Sequence, residues 1–381
     1  MRKWMLFVAF AAMALPAPAA ERKTVAELKQ FLTAEYATHK SDGSIADHLG
    51  EMELSEQLTE PTLDRITADL KPGKKTSRAL QLLADESCFL DPPGDEIPGK
   101  AAPARAEQLR LLQGAVDFAS VAFTRLPNFM ATRSTHTFDN SSLVMTTDAS
   151  GIGIAARGPL HAHGGYTRQI TFRAGAEVRV DRAAGQDKQD RHSAIPPGLT
   201  SYGEFGPLLV TVLSDIAEGK LAWSHWEETR NGMAAVFRYE VPQQASHYSV
   251  DYCCVPVVPL LEAGGGRQNT KGASTPRNFH STPAYHGYLY LDPQTGAVLR
   301  LALEAEMKSD DPLGRVAQWV GYGPVEIGER NYLCPVRASA LTMVRVWREG
   351  ESGMVWLNEV TFTNYHRFGS TARILAAAPE P

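Results

Sequence analysis

Between His286 and Phe368 apolar and polar side chains change places in short runs, the spacing of antiparallel β-structure. The clearest run is 299–307. Leu299, Leu301, Leu303, Ala305 and Met307 share one face, and Arg300, Glu304 and Glu306 share the other, with Ala302 breaking the polarity. Side chains on a strand alternate with period two, so the pattern predicts one face buried and one in water. The preceding run, 286–291, reaches it through Asp292-Pro293-Gln294-Thr295-Gly296. Proline presets φ and glycine tolerates a positive φ, so this segment reads as a turn.

The N-terminal part has a different period. Val25, Leu28, Phe31 and Leu32 keep helical spacing, and Asp42-Gly43-Ser44 reads as a break. Thr59 ahead of Glu60-Pro61 is a helix cap with proline in the first turn, followed by Leu63, Ile66 and Leu70. Pro72-Gly73 ends that helix, and Leu80, Leu82 and Leu83 belong to the next. The Pro, Gly and Ala residues of 93–104 read as a linker. Leu109, Leu112, Val116, Ala119, Phe123 and Leu126 then predict an amphipathic helix that Pro127 terminates. Strand-like runs follow at 131–138, 166–173 and 176–181, with a short apolar helix over 207–217. Arg230-Asn231-Gly232 marks a hairpin between 223–228 and 234–241, and 247–255 is another strand. The order is α+β: a helical region, then a mainly antiparallel sheet with one helix leading and one inserted.

The first 20 residues read as an export signal: Arg2 and Lys3, an apolar run from Trp4 to Leu15, then small residues at Ala17-Pro18-Ala19-Ala20. The expected units are therefore a signal peptide (1–20), a helical domain (21–92), the linker (93–104), a β domain (105–375) and a tail (376–381). Cleavage removes two cations and no acid from a chain whose formal net charge is already −5. A mildly acidic protein without a basic run is a poor partner for nucleic acid or anionic membrane surfaces. No other stretch is apolar enough to span a bilayer, so the expectation is a periplasmic or secreted protein that is not integral to a membrane.

Residues with possible chemistry are few. His161-Ala162-His163 would put two imidazoles on one side of a strand, within reach of one metal ion, although the flanking Gly158-Pro159 and Gly164-Gly165 suggest a loop. A third ligand would come from His136, His192 or His280 in space. Four cysteines in an exported chain can form lasting disulfides. Cys253 and Cys254 are neighbours, with Cα atoms about 3.8 Å apart, closer than a bridge favours. Cys254 is therefore expected to bond Cys334, and Cys88 to stay a buried free thiol. The chain has no H-E-x-x-H, no G-x-S-x-G, no phosphate-binding loop and no dinucleotide fingerprint, so it calls for no cofactor. Glu304 and Glu306 read as a solvated strand face rather than a catalytic pair. The long aperiodic stretch 256–283 reads as disorder rather than a lid.

A resemblance adds to this. Leu126-Pro-Asn-Phe129, Ser201-Tyr-Gly-Glu-Phe-Gly206, Ser246-His-Tyr248, Tyr285-His-Gly287, Leu291-Asp-Pro-Gln-Thr-Gly296 and Cys334-Pro-Val-Arg337 together resemble a family of exported bacterial proteins of uncharacterised function. More distantly, a leading helix and strands around a D-x-x-T-G hairpin look like the half-open β-barrel of periplasmic lipoprotein carriers and sensors, the LolA/RseB-like fold. The resemblance implies a curved sheet around an apolar face, plugged by helix and suited to a lipid, a lipidated protein or another apolar partner. Leu299, Leu301, Leu303 and the helix over 207–217 would contribute to that wall. Two other readings stand beside it. One is a hydrolytic or metal-dependent enzyme using His161 and His163. The other is an envelope docking or signalling module centred on the helical region.

Overall fold

The structure, a computed structural model, describes residues 22–140, 145–148, 151–154, 160–178, 203–230, 232–255, 277–345 and 353–368. The expected signal peptide, His192, most of 256–283 and the tail lie outside them. Among the described residues no helix is long and apolar enough to cross a membrane.

The fold is α+β. Helices α1 (Val25–Ala37), α2 (Asp42–Gly50), α3 (Glu60–Leu70) and α4 (Lys74–Ser87) come first, and α5 (Arg105–Val121) follows the Pro-rich connection. The strands are β1 (Phe129–Asp139), β2 (Met145–Asp148), β3 (Gly151–Ile154), β4 (His161–Arg173) and β5 (Ala176–Val178). After α6 (Pro207–Ile216) come β6 (Lys220–Thr229), β7 (Gly232–Val241), β8 (Val250–Val255), β9 (Arg277–Ser281) and β10 (Tyr285–Leu291). The last four are β11 (Val298–Ala305), β12 (Leu313–Glu326), β13 (Asn331–Arg345) and β14 (Gly353–Arg367). Ten of these form one antiparallel sheet in the order β5-β4-β1-β14-β13-β12-β11-β10-β7-β6. It is not closed into a barrel. The pairs β2–β3 and β8–β9 stand as separate two-stranded sheets.

The bundle forms much as its sequence pattern predicts. Thr59 caps α3, accepting from the Thr62 N–H at 3.4 Å, with Pro61 in the first turn. Its core is Val25, Leu28, Leu32, Ile45, Leu49, Leu63, Ile66 and Leu80. The expected break at Asp42-Gly43-Ser44 is instead the first turn of α2, capped by Ser41. The Asp42 carboxylate turns across to α4 and accepts from the Lys75 and Thr76 N–H groups, both at 3.0 Å, capping a helix that starts on Gly73.

One face of the sheet carries the main core and is covered by α5 and α6. Leu111, Ala115 and Ala119 of α5 are buried, whereas Leu109 and Val116, expected inward, are exposed. The helix is turned from its predicted orientation because its own Gly114 must lie against the 292–296 turn: a Cβ on Gly296 would approach the Leu111 carbonyl oxygen at 2.6 Å. Arg110 fixes the contact by donating to the Gln294 carbonyl at 2.9 Å and the Pro293 carbonyl at 2.7 Å. The turn itself is as read: Gly296 has φ 75° and its N–H donates to the Asp292 carbonyl at 2.8 Å.

The opposite face is largely out of water where the bundle covers it, whereas His136 on β1 stays exposed. Ala302, the break in the alternation, packs with Cys88 and Trp319, and Leu82 of α4 packs with Phe138, Leu341 and Leu357. Arg300, expected in solvent, lies over the Tyr290 and Trp319 rings at 5.2 and 4.9 Å. Charge ties the layers together. Arg337 donates to both Asp85 oxygens at 2.9 and 2.7 Å and to Glu359 at 2.7 Å, and Arg78 of α4 pairs with Glu359. Arg230 reaches Asp64 at 2.6 Å, and the Tyr288 hydroxyl donates to Asp91 at 2.6 Å.

Burial drives the Asp85 carboxyl up to about 7, against the pull of Arg337 and with the nearby charge of Glu359 adding to it. Between its ordinary value and about 7 the folded protein holds a proton that the unfolded chain has lost. The contribution of Asp85 to stability therefore falls as pH rises through that window and levels off above it. Urea unfolding of wild type and Asp85→Asn across that range tests this. The stability of wild type relative to the variant is expected to decline as pH rises, and a constant difference would contradict it.

Two sequence expectations are corrected here. Cys334 is a free thiol, so the bridge to Cys254 is not formed. Cys334 lies opposite Gly323 in the middle of the large sheet, whereas among the described residues β8, which carries Cys254, pairs with β9. Burial pushes the Cys334 thiol up to about 12. Leu299 does not share the face of Leu301 and Leu303. Tyr290 pairs with Arg300 but Leu291 with Val298, so Leu299 is the extra residue of a bulge. It packs with Ala234, Val236, Tyr288 and Tyr290, while Leu301 and Leu303 stay in the main core. Cys88 is the buried free thiol expected.

Candidate functional site

Residues directly opposite on neighbouring strands share a face, so the register can be followed across the sheet as rungs. One rung runs His161–Asp139–Trp356–Thr342–Val316–Ala305–Tyr285–Val241. Two residues further in, it runs Gly164–Thr137–Asn358–Ala340–Gln318–Leu303–Gly287–Tyr239. Further in again, β14 to β7 present Val360, Ala338, Val320, Leu301, Leu289 and Phe237. This face therefore changes character. It is apolar at depth and on the β10–β7 side. On β1, β14, β13 and β12, near the ends of those strands, it is polar.

The polar part is buried all the same. Thr137 donates to Asn358 at 2.7 Å, and Asp139, Asn140, Thr342 and Gln318 are all buried. Deeper on β1, Arg133 pairs with Glu204 at 3.0 Å, with both side chains almost fully enclosed. Among the buried atoms here without a hydrogen-bond partner are Thr135 Oγ1, Asn140 Nδ2 and Trp356 Nε1. Each such group costs about 1–3 kcal/mol unless something pairs with it.

The two histidines of the expected metal pair sit at the outer end of this strip. They are strand residues, not loop. Thr137 pairs with Gly164 and Phe138 with Ala162, so His163 is a bulge residue, a device that re-aims a side chain. His163 Nδ1 lies 2.6 Å from the Asp139 carboxylate, and its ring meets Trp356 edge-on at 5.1 Å. His161 is opposite Asp139 and exposed. Of the suggested third ligands, the two among the described residues do not join them. His136 is separated from Asp139 by an odd number of strand positions and takes the other face, and His280 pairs with Asp251. Among the described residues no group of three or more His, Cys, Asp or Glu side chains could hold a metal ion.

A second polar centre lies at the same strand ends, below α6. Asp215, buried, accepts from the His247 N–H at 2.8 Å, from His247 Nδ1 at 2.6 Å and from the Tyr285 hydroxyl at 2.8 Å. The hydrogen bond to Asp215, with its charge, holds His247 more basic than usual, and burial pushes Tyr285 far up. Tyr239 and Tyr248 close around Tyr285 at 6.0 and 5.5 Å. The Tyr239 hydroxyl crosses Gly287, where a side chain would not fit, to donate to the Ala302 carbonyl at 2.7 Å. This centre anchors the end of α6 to the start of β10.

Sequence reading did not single out Asp139, Asn140 or Asp215, and took Trp356 for core or edge packing. For Asp215 a signal exists, since it is the one acid in the otherwise apolar helix PLLVTVLSDI. Asp139 and Trp356 come together through a pairing over two hundred positions apart, which no local pattern reveals. No family model, curated protein or solved structure matches the chain.

Proposed function

We propose that the protein is an exported, non-enzymatic binding protein of the cell envelope that takes an amphipathic partner, either a lipid or the lipidated end of a protein. The observation that supports this reading is the division along one face of an unclosed sheet, apolar at depth on β14 to β7 and polar on β1 and at the neighbouring strand ends. An amphipathic molecule has the matching division. The resemblance to half-open lipoprotein carriers points the same way. Leu301 and Leu303, expected in the ligand wall, are 1% and 0% exposed beneath the helices. An acyl chain reaches them only by displacing a helix. In this reading that helix is α6, ten residues long and held at its end through Asp215. Burial of apolar area drives uptake at roughly 25 cal/mol per Å².

Native mass spectrometry of the mature protein from its own envelope, followed by denaturing extraction, tests the reading. The expected result is a species of lipid mass that stays bound through gentle ionisation and is released on unfolding. Protein at its bare mass that also takes up no added acyl lipid would overturn it.

A second reading draws on the Asp139–His163 pair. A buried carboxylate on Nδ1 of a half-exposed imidazole is the arrangement of an oriented general base. It requires turnover of an ester or amide that His163→Ala abolishes, and a metal-dependent form requires stoichiometric metal that the double His161/His163 alanine variant loses.

A further inference from the structure

We propose that the β8–β9 hairpin is a flap over the strand ends of the main core, latched to α6 by His247, and that the latch loosens as pH rises. The inference rests on the carrier reading for its purpose, since α6 is the helix an acyl chain has to displace.

The hairpin is an excursion that leaves the large sheet and returns to it on one rung. Val241, the last residue of β7, lies directly opposite Tyr285, the first residue of β10. Pro242 follows the one and Pro283 stands two residues before the other. Neither has an N–H to extend the ladder, so the pairing stops there. Gln243 Nε2 donates to the Thr282 carbonyl at 3.2 Å and ties the two feet together. Among the described residues β8 and β9 pair with each other and not with the large sheet. Two feet at one point, with no ladder beyond them, make a hinge. The hairpin is seated by Tyr248, Val250 and Tyr252, all buried in the main core, and by His247.

His247 is the catch. Its backbone N–H and its Nδ1 both reach the Asp215 carboxylate of α6, at 2.8 and 2.6 Å. The His247 side chain is 78% exposed and that of Asp215 only 1%, so the catch meets solvent protons while its seat is enclosed. The hydrogen bond and charge of Asp215, with the charge of Glu218 adding to them, favour the imidazolium while the hairpin is down. Lifting the hairpin removes that support. Protonation therefore favours closure, and closure weakens as pH rises from the ordinary imidazole range through the raised value. The backbone N–H does not titrate, so the latch loosens without being lost.

The other groups around the catch do not titrate in this range. Tyr285 of β10, Tyr239 of β7 and Tyr248 of the hairpin's own foot are pushed up by burial and stay neutral. His280 pairs with Asp251 inside the hairpin and does not tie it to α6.

Amide hydrogen exchange of the full mature chain from about pH 5.5 to about pH 9, corrected for the intrinsic rate, tests the latch. Peptides covering 208–216 and 246–252 are compared with 316–322 of β12, which reports any general loss of stability. Relative to β12, protection of the first two is expected to fall about 3- to 5-fold as pH rises, the difference between a charge-assisted and a neutral hydrogen bond. His247→Gln keeps a donor that does not titrate, and its profile is expected to be flat. A flat wild-type profile, or an equal fall in the variant, overturns the proposal. Should His247→Gln not fold, the wild-type imidazole resonances decide: a midpoint above the ordinary value that tracks the loss of protection supports the latch, and an ordinary midpoint overturns it. Entry of N-phenyl-1-naphthylamine, uncharged over this range, is followed in parallel by fluorescence. Its uptake is expected to quicken with pH in wild type alone. Exchange that follows pH with no dye uptake at any pH leaves the latch standing and sinks the carrier reading. Dye uptake with exchange indifferent to pH does the reverse.

Discussion

Replacing Arg337 by Met is expected to destabilise the protein by about 3 kcal/mol at pH 8, the range seen when a buried charge loses its partner. Arg337 holds Asp85 by both oxygens and reaches Glu359 at 2.7 Å, between a helix of the bundle and the back of the sheet. Without it, among the described residues, no other cation is bonded to Asp85 and Arg78 alone remains on Glu359. The penalty is expected to shrink near pH 6. Asp85 ionises only around pH 7 even with Arg337 present, so with Arg337 gone it simply takes up a proton. Adding Asp85→Asn to Arg337→Met is expected to recover part of the loss, giving a coupling energy that a double-mutant cycle reads. Urea unfolding at the two pH values is the measurement. Equal, small losses at both would mean that the bundle is held by its apolar contacts alone.

The other large effect is expected at the crossing of α5 and the 292–296 turn. Gly296→Val should cost more than about 3 kcal/mol, since it combines overpacking with a disfavoured backbone. Gly296 has φ 75°. A Cβ there meets the Leu111 carbonyl oxygen at 2.6 Å and Gly114 Cα at 2.8 Å. Neither contact is the loose end of a side chain, so relief requires the whole helix to move off the core. Gly114→Val strikes the same contact from the helix side, at the Thr295 carbonyl oxygen, and should behave alike. Gly99→Ala is the control, because nothing lies within 4 Å of a Cβ at that position. Thermal unfolding of the three variants tests the crossing, and a Gly296→Val protein as stable as wild type would show that α5 is not seated by it.

What the sequence made legible was whatever local period or turn chemistry encodes. The Asp292–Gly296 turn, the Thr59 cap and the Arg230–Gly232 hairpin were readable because each is set by a few neighbouring residues. The face of Leu301 and Leu303 was readable by alternation, but Leu299 was not, since a bulge adds one residue and resets the period. Ala302 was a signal left unread: an alanine among charges marks a face with a second layer over it. The rotation of α5 was hidden because a glycine contact, not hydrophobicity, decides which side faces inward. The Cys254–Cys334 expectation failed for a related reason, since strand order is not local. The candidate site shares that difficulty. His163 was visible as half of a histidine pair, but its partners Asp139 and Trp356 meet across β1 and β14.

That junction also governs how the molecule can be assembled. Among the described residues, β1, β4 and β5 are hydrogen-bonded to the rest of the large sheet only through β14, the last of these strands to be made. A chain emerging N-terminus first must carry an unpaired β1 edge, a ready template for wrong pairing, until residues 353–367 arrive. Closure over so long a separation is intrinsically slow. Loss of the final strand would divide the sheet down its middle, leaving a β1–β4–β5 fragment and a β13-to-β6 fragment with nothing between them.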